Sequence, residues 1–89
     1  MVIEKASQTV FTPLADSTAV LLNLNTLLYF KLNRTGAAVW KQIEEWQILT
    51  LEDLVKNVCE RFEIGEQEAR EFIRQFVGRL EEFQMIRIA

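Results

Sequence analysis

The residues best equipped for chemistry are few and badly placed for it. The chain has no histidine and a single cysteine, Cys59. That rules out an imidazole base, a Cys-His pair and any zinc-ligand spacing. Adjacent carboxylates occur at Glu44-Glu45, Glu52-Asp53 and Glu81-Glu82. Each pair falls on the polar side of a helical pattern, where solvated acids are ordinary. Cys59 falls on an apolar helical stripe and reads as a small core residue. There is no glycine-rich phosphate loop. The sequence therefore argues against an enzyme and implies no cofactor, which leaves binding.

Two binding chemistries are open. The first is phosphate recognition by a basic helix, as in winged-helix DNA-binding proteins. Residues 66 to 83, the longest helical pattern, carry three arginines against five glutamates, a local charge of −2. A recognition helix should be basic, because phosphate contacts supply most of the affinity. The second is strand addition, in which a peptide pairs with an exposed sheet edge and places alternate side chains in pockets. Its candidate is Thr26 to Lys31, a β-rich run that is apolar at both parities. Leu28, Phe30 and Leu32 would point one way and Leu27 and Tyr29 the other. A small two-layer domain covers only one face of its sheet, so the second parity calls for a partner. That partner could be a peptide, the chain's own tail or a second copy, the last making the edge a dimerisation module.

The elements that hold this run follow from pattern. With 89 residues the chain makes one domain, 1–89, with a small core. Residues 1 to 33 carry only Glu4, Lys5, Asp16 and Lys31 of its charges. This marks a layer of half-buried strands followed by amphipathic helices. Strands are expected at 8–14, 19–24 and 26–31, as an antiparallel meander with Pro13 at an edge or strand end. A helix opens at Asn33 or Thr35 with Val39, Trp40, Ile43 and Trp46 on one stripe, and Gly36 and Ala37 permit close packing there. Gln47 to Leu49 form a connector. Thr50 and Asp53 stand in a capping-box arrangement before Leu51, Leu54, Val55, Val58, Cys59 and Phe62. Glu63-Ile64-Gly65 ends that helix, with Gly65 suited to the tight connection. The last helix buries Ala69, Phe72, Ile73, Phe76, Val77, Leu80 and Phe83, and Met85 to Ile88 form either a short strand or a loose end. The expected class is α+β, in the order β-β-β-α-α-α. No stretch approaches the roughly 20 apolar residues of a membrane helix, and Met1 to Lys5 lack signal-peptide order. A cytoplasmic protein that binds neither membrane nor nucleic acid is expected, and a net charge of −3 fits that.

Leu22-Asn23-Leu24-Asn25-Thr26, Tyr29-Phe30-Lys31-Leu32-Asn33, Thr35-Gly36-Ala37 and Val39-Trp40 together resemble the PqqD-like family, as do Thr50 to Val55 and the long last helix. The resemblance spans roughly residues 10 to 86. This family is the RiPP precursor peptide recognition element, either fused to modifying enzymes or free-standing. The resemblance implies a winged helix-turn-helix-like fold, no catalysis, and capture of a precursor's leader peptide as an added strand in a groove between the third strand and the third helix. Carried onto this chain, the strand side is Leu27, Leu28, Tyr29, Phe30 and Lys31, and the helix side Arg70, Ile73, Arg74 and Val77. Ile73 and Val77 could equally be plain core, and Arg70 and Arg74 could serve acidic leader residues or surface partners. Free-standing chains of this size most resemble the recognition proteins of lasso peptide pathways, which hand the leader to a separate leader peptidase. Members serving pyrroloquinoline quinone or radical-SAM pathways share the pattern. Family members often have glycine at the turn before the aromatic pair and near the start of the tail, where this chain has Leu27 and Gln84.

Overall fold

The computed structural model describes residues 2–46 and 48–88, apart from the side chains of Trp46 and Ile48. Trp46 as a stripe residue and Gln47 as a connector residue lie outside what is described. The elements are β1 (Val2–Lys5), β2 (Thr9–Pro13), β3 (Ala19–Asn23), β4 (Tyr29–Leu32), α1 (Arg34–Trp46), β5 (Ile48–Thr50), α2 (Leu51–Phe62), α3 (Glu66–Glu82) and β6 (Ile86–Ile88). The class is α+β, with an antiparallel meander β2-β3-β4 and three helices.

The expected β-β-β-α-α-α order is corrected by a second sheet, β5-β1-β6, also antiparallel. Ile3 lies at its centre, fully buried, and pairs with Leu49 on one side and Ile88 on the other. The N-terminal strand thereby ties the entry of α2 to the exit of α3. Such strands escape sequence pattern because β5 and β6 have three residues each, too few for a period, and their pairing joins distant parts of the chain. Ile48 and Leu49, expected in a connector, belong to β5, and of the tail Ile86 to Ile88 form a strand rather than a loose end.

Helix boundaries follow side-chain caps. Asn33 caps α1, its Oδ1 accepting from the Gly36 amide at 2.7 Å. At α2 the Thr50 hydroxyl accepts from the Asp53 amide and the Asp53 carboxylate accepts from the Thr50 amide, both halves of the capping box. These bonds hold the Asp53 carboxyl below the usual carboxylate range. The tight connection after α2 is made by Glu63, which takes the left-handed conformation, and Gly65 is extended at the start of α3. Among the described residues those with positive φ are Ser17, Leu27, Glu63 and Gln84, none of them glycine.

The core draws on every layer. Ala19 and Leu21 of β3, Leu32 of β4, Val39, Trp40 and Ile43 of α1, and Leu54, Val55 and Val58 of α2 are buried together. Ala69, Ile73, Phe76, Val77 and Leu80 supply the α3 face. Cys59 is half-buried at the margin of this core.

Candidate functional site

β4 is an edge strand, hydrogen-bonded to β3 and to no other strand among the described residues. Ladder bonds in an antiparallel pair alternate between facing residues. The Asn23 amide donates to the Leu28 carbonyl at 3.0 Å, and β3 and β4 pair Leu22 with Tyr29, Leu21 with Phe30 and Val20 with Lys31. Alternation then turns the N–H and C=O of Tyr29 and Lys31 away from β3, toward the open edge. Their side chains are exposed, Tyr29 at 70 %, while Phe30 is half-buried and Leu32 buried.

The strand begins at Tyr29, so the expected start at Thr26 is corrected. Leu27 and Leu28 belong to the hairpin loop. Leu27 has φ 62° and its amide bonds the Asn23 carbonyl at 2.7 Å, which closes the turn. Leu28 therefore does not share a strand parity with Phe30. Both leucines are exposed, at 71 % and 41 %.

Beside the edge lies a cleft of about 230 Å³ between β4 and α3. Its strand side is Phe30, Lys31 and Leu32, continued by Asn33. Its helix side is Phe72, Gln75, Phe76 and Arg79. The Phe72 and Phe76 rings stack with centroids 5.7 Å apart, and Phe83 meets Phe30 edge to face at 5.1 Å. The Arg79 guanidinium lies over the Phe30 ring, 5.3 Å from its centroid. Gly36 makes room for this packing, since a Cβ there would stand 3.2 Å from the Phe76 ring and 3.4 Å from the Leu32 side chain. The cleft thus has an aromatic floor, a row of free backbone bonding groups and two cations at its rim. It can hold an extended peptide that brings an apolar side chain and a carboxylate.

Phe30 and Lys31 line this cleft, and Leu27, Leu28 and Tyr29 lie along the loop and edge beside it. None of Arg70, Ile73, Arg74 and Val77 lines it. Ile73 and Val77 are in the core, 0 % and 3 % exposed. Arg70 turns toward α2, where it pairs with Glu52 and Glu66. That pairing lowers the Glu52 carboxyl and keeps the arginine firmly charged. Arg74 is exposed. At about 100° per residue, the helical stripe of α3 has two flanks. Positions 70, 74 and 77 lie toward one, and 72, 75, 76 and 79 toward the other. Periodicity finds the stripe but not which flank meets β4.

A model of the family described as coenzyme PQQ synthesis protein D (PqqD) matches residues 18–86. The chain belongs to the PqqD family. No curated protein matches it. Two solved structures share the fold of this PqqD-family chain. One is TbiB1 in complex with the TbiA(beta) leader peptide, with a TM-score of 0.84 and 23 % identity, covering 97 % of this chain and 96 % of that one. The other is lasso peptide synthetase B1 complexed with the leader peptide, with a TM-score of 0.78 and 20 % identity, covering 97 % and 98 %.

The family pattern explains two features of the site. The positions where members often carry glycine, Leu27 and Gln84, both have left-handed backbones here, φ 62° and 61°. The Leu-Asn motif also has a structural role. Buried Asn23 accepts from the Asn25 and Thr26 amides and donates to the Gln84 carbonyl, fixing the loop that leads into β4.

Proposed function

We propose that this protein binds the leader segment of a ribosomally made precursor peptide as a strand added to the free edge of β4, and delivers it to a separate processing enzyme. The observation that carries this reading is the outward row of Tyr29 and Lys31 backbone groups beside the aromatic cleft of Phe30, Phe72 and Phe76. Both structural relatives were solved with a leader peptide bound, one of them a lasso peptide synthetase component. A lasso pathway is accordingly the context we favour, with a leader peptidase as the enzyme served. The protein itself contributes no catalytic group and acts in the cytoplasm as one winged helix-turn-helix-like recognition domain over 1–89.

In this reading Leu27, Leu28, Tyr29, Phe30 and Lys31 border the peptide. Phe72, Gln75, Phe76 and Arg79 supply the helix side. Ile73 and Val77 support the groove from beneath, and Arg70 and Arg74 act at the surface of α3. The DNA-binding alternative lacks support, because α3 has a net charge of −2. Among the described residues no helix is long and apolar enough to cross a membrane.

Fluorescence polarisation with a labelled leader peptide encoded beside the gene tests the proposal. Submicromolar binding that weakens at least tenfold in Lys31→Pro supports it, because proline removes an outward amide that the peptide would use. Equal affinity in the variant refutes strand addition.

A further inference from the structure

On the other side of α1's first turns lies a second hollow of about 410 Å³, which shares no residue with the peptide cleft. Phe11, Pro13 and Leu14 give it an apolar wall, and Arg34, Lys41 and Arg61 supply its charge. The chain as a whole is net −3, yet no acidic side chain lines this hollow. Among the described residues none of the three cations makes an ion pair. One is anchored, Arg34 Nε donating to the Asp16 carbonyl at 3.2 Å, and Lys41 Nζ stands on the Phe11 side of the hollow, 6.0 Å from the ring centroid. The nearby Asp16 carboxylate is engaged by the Thr18 amide and hydroxyl. Cations without counter-charges, set against exposed apolar surface, match an acidic partner segment carrying an apolar anchor.

We propose that this hollow docks an acidic, apolar-anchored segment of the enzyme that acts on the bound peptide, a proposal that rests on the peptide-carrier reading above. β2, which supplies Phe11 and Pro13, is the edge of the meander opposite β4. A peptide on one edge and an enzyme on the other can be held together, which raises the peptide's effective concentration at the enzyme. The apolar wall and the acidic balance of the chain favour a protein over a nucleic acid.

The test is biolayer interferometry of the full chain against the processing enzyme encoded in the same gene cluster, at low and high salt. Leader affinity is measured on the same samples. In R34Q/K41Q/R61Q the enzyme's Kd is expected to rise about tenfold or more and lose most of its salt dependence, with leader affinity unchanged. Lys41→Gln alone, at an exposed position, is expected to give a smaller rise and serves if the triple variant does not fold. Unchanged enzyme affinity in these variants, no association of the wild-type chain with the enzyme, or a preference for a DNA duplex overturns the proposal. Loss of leader binding by the wild-type chain would instead count against the carrier reading.

Discussion

The Asn23 side-chain amide donates to the Gln84 carbonyl at 2.7 Å, joining the loop before β4 to the turn that leaves α3. The two residues are 61 apart in sequence. Asn23→Ala removes this bond and the two that its oxygen accepts from Asn25 and Thr26. At about 0.5–1.5 kcal/mol for each bond, the loss should be roughly 2–4 kcal/mol. Urea unfolding measures it, and hydrogen exchange at the Asn25 and Thr26 amides should accelerate.

Leu27 and Gln84 sit in left-handed backbone that costs an L-residue about 1–2 kcal/mol. Glycine relieves that cost but loses more freedom on folding. Leu27→Gly and Gln84→Gly should each gain about 0.5–1 kcal/mol, and a loss in either would contradict the left-handed assignment.

Gly36 and Gly78 should respond with opposite signs. An added Cβ at Gly78 meets nothing within 4 Å, so Gly78→Ala should stabilise α3 by up to about 1 kcal/mol. At Gly36 the same change meets Phe76 and Asn33 at 3.2 Å. Crowding there should cost about 1 kcal/mol or more and displace the Phe76 ring that floors the cleft. Paired thermal melts check both.

The Thr50–Asp53 capping box links stability to pH. Hydrogen bonds from Thr50 hold the Asp53 carboxyl below its ordinary value near 4. A depressed folded value means that the stabilisation is complete above the unfolded value and is lost as pH falls through the folded one. The melting temperature should therefore be insensitive to this group at neutral pH and fall below about pH 4, less steeply in Asp53→Asn. Thr50→Ala should cost about 1 kcal/mol.

Local rules made much of this fold legible. Asn33, Thr50 and Asp53 cap the helices where their types and spacing place them, and the stripes of α2 and α3 are buried at their centres, while Leu51, Cys59, Phe62, Phe72 and Phe83 are half-buried at their margins. The edge position of β4 could be read from its place as the last strand of the meander, but not from two apolar parities, because Leu27 and Leu28 lie in the hairpin loop. The second sheet could not, because β5 and β6 are short and pair across the chain. Nor could the helix side of the cleft. Phe72 and Phe76 were visible as stripe residues, but their flank is chosen by the close approach of Phe76 to Gly36, a contact between distant segments.

Strand addition at β4 is tested most directly by amide hydrogen exchange at Tyr29, Phe30 and Lys31, with and without the leader peptide at saturation. Tyr29 and Lys31, whose amides face the open edge, should gain at least tenfold protection, while Phe30, already paired with Leu21, should change little. Unchanged exchange at Tyr29 and Lys31 in a saturated complex would show that the peptide binds without extending the sheet.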